Sequence, residues 1–438
     1  MQGHHQSIPD SNRPLLSPGQ SATHHPRPMT PTLDKRTAPT PRPPTWLHSP
    51  QRVYLRRALF QIHLWTGILI TAYAIVIGLT GSALVFAPEL TQHFHPALYN
   101  LHPTPRTSTI DAAVRHIEAI RPGWTAFGLE DLNQPTEATT LLLRRTHGAP
   151  TPNYRVVAFN PYTGQILSDA PRYAGLLGFL TNLHVYLLTG EPGLIISGWM
   201  AIGLLILALT GIILWWPGVP RWASALLLHR RTSWRRINFD LHTVLGFWSS
   251  IGLLLIILTG IELCFPTPFG NLLQLATGHG YHQPAEPPAA KPALTSPQAP
   301  TLTIDEALTA ARRILPPDAP PGYLALPTKP TSPYFVIGYY QQAAPYSQLV
   351  RMLLDPHTGA PLSTTNTRDQ DLAARAQQYS VALHFGLFGG PGLVGLFIKI
   401  LWVLLGILPA LLGVTGLLMY WNRKLRPLML RTLPRSRE

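Results

Sequence analysis

Residues 60–86 read FQIHLWTGILITAYAIVIGLTGSALVF, 27 positions in which His63 is the sole Asp, Glu, Lys, Arg or His. A helix of that length exceeds the roughly 20 residues that cross a ~30 Å hydrocarbon core. It is also too long for the apolar centre of a secretory signal. Three further stretches, 193–216, 243–265 and 393–421, are apolar by the same measure. Four predicted spans make this a helical membrane protein.

Composition agrees. Of 438 residues only 12% are charged and 46% are hydrophobic, against about 25% charged in ordinary soluble chains. Cys264 is the single cysteine, which excludes an intrachain disulfide framework, a CxxCH haem site, Cys-ligated iron–sulfur clusters and multi-cysteine zinc. Histidine, present 18 times, must carry any metal or redox ligation.

Around the spans the chain divides into nine regions. Residues 1–45 are a Pro-rich tail, predicted to be disordered because it cannot bury enough apolar surface; His4, His5, His24 and His25 within it read as solvated. Residues 52–86 hold the first span, and 87–172 a polar segment. Residues 173–216 hold a short helix and the second span, followed by a basic loop, 217–241. The third span occupies 242–265, and 266–378 a linker (284–300) with a second polar segment. Residues 379–421 hold a short helix and the fourth span; a basic tail, 422–438, follows.

Charge placement predicts orientation. Each polar segment balances seven basic against seven acidic residues, whereas the tails and the 217–241 loop together carry 19 basic and four acidic. By the positive-inside rule both termini are cytoplasmic and both polar segments exported. The net charge of +14 is therefore topological, and no nucleic-acid partner is needed to explain it. Arg56 and Arg57 read as an anchor flank in preference to a twin-arginine signal.

The halves repeat. IDAAVRHIEAIRP (110–122) and NPYTG (160–164) in the first polar segment correspond to IDEALTAARRILP (304–316) and DPHTG (355–359) in the second. Each segment reads as an amphipathic helix, β-rich runs and a Pro-x-Thr-Gly turn, hence two small α+β domains with a cleft between them. IHLWTGIL (62–69) corresponds to LHTVLGFW (241–248), and NLHVYLLTGEPGL (182–194) to ALHFGLFGGPGL (382–393).

With those motifs in duplicated order, residues 52–425 resemble the PepSY-associated transmembrane helix family, to which siderophore-iron reductases of bacterial inner membranes belong. The resemblance implies a four-helix transmembrane bundle with two periplasmic PepSY-like α+β domains. It also implies a b-type haem protein that passes electrons from a cytoplasmic donor, a reduced flavin or flavoprotein, to a periplasmic ferric siderophore or other ferric chelate.

Ionisable side chains in spans are costly and mark function. His63 and His242 each precede a Thr-Gly pair (Thr80, Thr259) by 17 residues, about 25 Å of helix, so both lie towards the cytoplasmic face. His184 and His384 precede the second and fourth spans and lie towards the other face. The GEPG and GGPG breaks leave open whether they sit in the spans or on short interfacial helices. Two histidines at equal depth on different helices can share a cofactor in a bundle core, and haem iron takes axial imidazoles. Two per iron leave no open site, which favours electron transfer. The expected pairs are His63 with His242 for an inner haem b and His184 with His384 for an outer one.

Gly67 and Gly246 follow His63 and His242 by four residues, on the same helix face, where a missing side chain admits a porphyrin or a close helix contact. Lys399 suits a haem propionate or snorkelling to the surface. Glu262 is expected to snorkel, Asp240 to be a solvated flank, and His93, His95, His279 and His282 to be surface residues of exported loops. Trp215, Trp216, Trp402 and Tyr420 read as interfacial or packing aromatics, with a place between haems open to one of them. No nucleotide-binding or hydrolase motif has a supporting context. Two rivals remain: a membrane-anchored PepSY binding or regulatory protein without redox activity, and a metal transporter, which would need more intramembrane carboxylates.

Overall fold

The computed structural model describes residues 46–47, 50–145, 153–228, 233–278 and 301–432. The tail 1–45, Arg230, Arg231, His279, His282 and the 284–300 linker lie outside them. The first half runs α1 (Tyr54–Leu84), α2 (Ala87–Phe94), α3 (Ile110–Ala119), β1 (Trp124–Glu130), β2 (Thr139–Arg145), β3 (Tyr154–Phe159), β4 (Ile166–Pro171), α4 (Gly175–Tyr186), α5 (Glu191–Trp215) and a short α6 (Trp222–Ala225). The second half runs in the same order: α7 (Trp234–Cys264), α8 (Pro266–Thr277), α9 (Ile304–Ile314), β5 (Pro321–Ala325), β6 (Tyr334–Tyr339), β7 (Leu349–Leu354), β8 (Pro361–Asn366), α10 (Leu372–Phe385), α11 (Leu393–Tyr420) and α12 (Arg426–Thr432).

Among the described residues, helices α1, α5, α7 and α11 are the four long and apolar enough to cross a bilayer. Each of α1 and α7 packs against both α5 and α11. The α1–α11 contact is set by small residues: a Cβ on Gly78 would lie 2.5 Å from the Gly406 carbonyl oxygen, and Ser82 Oγ donates to the Val403 carbonyl at 3.0 Å. Small side chains let backbones approach where no hydrophobic effect drives helices together.

Both polar segments lie on one side of the bundle, because they build one sheet. Its strands run β4-β3-β2-β1-β5-β6-β7-β8, joined at the centre by the antiparallel pairs Gly128↔Ala325 and Leu129↔Leu324. Without this pairing β1 and β5 would each present a bare edge. Leu129, Leu141, Leu324 and Val336 are fully buried in a core that also takes Val114 and Ile117 of α3 and Leu308 of α9. The sequence reading separates two domains with a cleft between them; the structure instead gives the two segments a shared sheet and a shared core. Pairing between strands so distant in the chain leaves no local trace.

The two amphipathic helices cap one another. The Asp305 carboxylate accepts from the backbone N–H of Ile110 (3.3 Å) and Asp111 (2.9 Å), and Asp111 accepts from the N–H of Ile304 (3.3 Å). Helix N-termini leave such donors unpaired, and a nearby carboxylate also suits the helix dipole. Thr109 and the Thr303–Glu306 capping box add local caps. The repeated turns have one mechanism. Asn160 Oδ1 accepts from the N–H of Tyr162 (2.9 Å), and Asp355 Oδ1 from the N–H of His357 and Thr358 (2.9 Å each). Gly164 (φ +74°) and Gly359 (φ +70°) then supply the left-handed residue that β-carbons disfavour.

Candidate functional site

Sequence forces the four histidines onto two kinds of helix. His63 and His242 stand inside the long α1 and α7. His184 and His384 stand at the ends of the short α4 and α10, which are separate from the spans that follow. Leu187 (φ +47°) and Gly386 (φ +69°) end these two helices in left-handed conformation, and the GEPG and GGPG sequences follow as breaks.

Across the bundle the rings meet in two pairs. The centroids of His63 and His242 are 6.3 Å apart with the ring planes perpendicular. Those of His184 and His384 are 6.4 Å apart with the planes at 51°. Each pair takes one histidine from each half of the chain.

All four rings are anchored alike. His63 Nδ1 lies 2.9 Å from Thr210 Oγ1, and His184 Nδ1 lies 3.0 Å from Thr80 Oγ1. His242 Nδ1 lies 3.0 Å from Thr415 Oγ1, and His384 Nδ1 lies 3.0 Å from Thr259 Oγ1. The glycine after each threonine makes room for the ring. A Cβ on Gly81, Gly211, Gly260 or Gly416 would lie 2.8, 3.3, 3.2 or 3.4 Å from the Cε1 atom of the histidine its neighbour holds. No Nε2 hydrogen bond to a described residue accompanies these contacts.

The anchoring role of the Thr-Gly pairs is what sequence reasoning missed. Thr80 and Thr259 serve there only as depth markers, and Thr210 and Thr415 have no role. The available signal was that Thr-Gly recurs in the last two turns of every span.

The remaining expected site residues fall into three groups. A Cβ on Gly67 would meet Leu207 Cδ2 at 3.7 Å and one on Gly246 would meet Leu412 Cδ2 at 3.6 Å. These are ordinary contacts, so helix packing does not demand glycine at either position. The Lys399 ammonium pairs with Glu89 of α2 and lies over the Phe86 ring, which gives it a partner outside the histidine pairs. His93 and His95 are exposed.

Two carboxylates correct their expected placement. Asp240 is buried at 3% exposure and paired with Arg236 at 2.9 Å; the helix extends far enough beyond His242 to carry it under cover. Glu262 is also buried, and accepts from Gln377 Nε2 at 2.9 Å and from Ser380 Oγ. It ties α7 to α10 beside His384 and does not snorkel. Among the aromatics, Trp402 Nε1 donates to the Leu383 carbonyl at 2.8 Å, which supports the end of α10, and Trp215 stacks on Phe247 at 3.7 Å.

Four apolar spans, an antiparallel sheet on one side and paired histidines within the bundle define a multi-pass membrane protein. The model of the PepSY-associated TM region matches residues 60–423, and the chain belongs to that family. No curated protein matches it.

Proposed function

We propose that the two histidine pairs are the axial ligands of two b-type haems, and that the protein carries electrons across a bacterial inner membrane. One observation carries this reading: two imidazole pairs, each centred about 6.3 or 6.4 Å apart, with Nδ1 engaged and Nε2 free of hydrogen bonds to described residues. A metal–imidazole bond of about 2 Å on each side of one ion, with half of each ring added, sets ring centres about 6 Å apart. Two protein ligands suffice where a macrocycle supplies the rest. Among the described residues, no group of three or more His, Cys, Asp or Glu side chains gathers to hold a bare metal ion, which fits that division.

His63 and His242 would hold the inner haem, and His184 and His384 the outer. Gly67 and Gly246, one helical turn after His63 and His242, would let a porphyrin approach the helix backbone beside the inner pair. A bound haem supplies a reversible one-electron couple. The chain's part is to fix two such sites at different depths, so that neither has to bridge the whole ~30 Å core.

In this reading both termini and the basic 217–241 loop face the cytoplasm, where a reduced flavin or flavoprotein is oxidised. The sheet lies in the periplasm, where a ferric siderophore or other ferric chelate gains one electron per iron. Oxygen-rich chelators hold the ferrous product weakly and release it. The test is the spectrum and haem stoichiometry of the purified full-length chain from haem-replete cells. Two porphyrins per chain and a dithionite-reduced b-type band are expected. A colourless protein overturns the reading and favours a PepSY binding protein without redox activity.

A further inference from the structure

The four threonines raise a question that the ligand reading leaves aside: why each histidine meets a hydroxyl rather than a carboxylate. Each of these hydroxyls has one hydrogen, already committed. Thr80 Oγ1 donates to the Val76 carbonyl at 2.7 Å, Thr210 to Ile206 at 2.6 Å, Thr259 to Leu255 at 2.9 Å and Thr415 to Leu411 at 2.8 Å. This is the back-bond that threonine makes to the preceding turn of its own helix. Towards the histidine the oxygen can then only accept.

A second acceptor agrees. His384 Nδ1 lies 3.2 Å from the carbonyl of Ile256, three residues before Thr259. The carbonyls of Ile77, Leu207 and Leu412 occupy the same position in sequence before Thr80, Thr210 and Thr415. A carbonyl never donates. Each Nδ1 therefore carries the hydrogen, and each Nε2 keeps its lone pair.

We propose that Thr80, Thr210, Thr259 and Thr415 are positioning residues that lock the four histidines in the Nδ1–H tautomer and, through a neutral acceptor, set how strongly each ring donates to iron. The second clause rests on the haem reading above; the first does not. A partner that accepts from Nδ1–H raises the basicity of the ligating nitrogen, and a hydroxyl does so less than a carboxylate. Removing the acceptor weakens donation to ferric iron and moves the reduction potential upwards. Each partnership stays within one half of the chain: His63 and His184 with Thr210 and Thr80, His242 and His384 with Thr415 and Thr259. Each iron would thus be gripped by two independently anchored rings.

The experiment uses the full-length protein with Thr→Val and Thr→Ser at each position. Val keeps the shape and removes the acceptor; Ser keeps the acceptor. Two readouts are taken: spectroelectrochemical potentials with haem content, and histidine side-chain 15N NMR on haem-depleted protein. T210V and T415V should raise the potential of one haem, and T80V and T259V that of the other. Each should also weaken haem retention about 10–100-fold, with the Ser variants near the parent. In haem-depleted protein the Nδ1–H signature should fade in the Val variants alone. Folded Val variants with unchanged potentials, haem content and tautomer signals overturn the proposal and leave the threonines as packing residues. If the parent binds no porphyrin, the haem reading fails, and the NMR arm alone still decides the tautomer claim.

Discussion

The inner pair stands on α1 and α7, each 31 residues long, whereas the outer pair rides on α4 and α10, of 12 and 14 residues. Both pairs use the same threonine anchor and nearly the same spacing, yet their supports differ. The bundle alone holds the inner pair. The outer helices begin within a few residues of β4 and of the turn after β8. Helix α10 is also bound to the sheet, through Arg351 to Gln378 and Gln378 to the Tyr346 carbonyl, and to α7 through Glu262. Sheet and bundle jointly set the outer site, so a change in the sheet reaches one pair and spares the other.

The largest expected effect breaks one pair outright. H63A or H242A should remove the inner haem and leave about half the porphyrin, and H184A or H384A should do the same for the outer. Haem-to-protein ratios check this, and full retention in H63A overturns the pairing. Next comes a blow to the sheet. L129A or L324A empties a fully buried site at its central join and should cost about 2–5 kcal/mol. The outer haem should be released at lower denaturant than the inner, followed by absorbance during a urea titration; simultaneous release would mean that the supports are not separate.

A gentler change sharpens the inner site. Alanine in a helix interior is favoured over glycine by about 0.5–1 kcal/mol, and a Cβ at Gly67 or Gly246 meets only ordinary contacts. G67A and G246A should therefore fold as well as the parent or better while holding less inner haem. Unchanged haem content would return these glycines to a structural role. The smallest effect is electrostatic and lies in the sheet. Burial would raise the pKa of Asp169, but hydrogen bonds and charge from Arg121 and Arg155 outweigh it and hold the carboxyl below its ordinary value. Its contribution is present above the unfolded carboxylate pKa and is lost as pH falls through the depressed folded value. D169N should lower sheet stability at neutral pH and flatten the acid limb of a thermal-melt series, with less effect below that window.

The sequence makes some of this legible and hides the rest for physical reasons. The four spans are visible because apolar runs of that length have few other uses, and the four histidines because they are the odd polar residues near them. The turns at Asn160 and Asp355 are visible because side-chain chemistry within five residues decides them. The central β1–β5 join is not, since it depends on partners 195 and 197 positions apart. Thr210 and Thr415 look like ordinary helix residues until a ring from another helix lands on them. Asp240 and Glu262 sit where a flank would be solvated, and only the neighbouring helices bury them. Lys399 is equally silent about Glu89, which lies 310 positions away.

That distant join bears on how the protein is made. The first polar segment is synthesised ahead of the second, and until β5 follows, β1 stands with an open edge bearing Leu129. Slow, long-range strand pairing leaves intermediates prone to stick to one another. A nascent chain halted after α7 would display that unpaired strand to any protease or chaperone it meets. Closing the sheet at β5 is thus the step that separates a finished molecule from a half-made one.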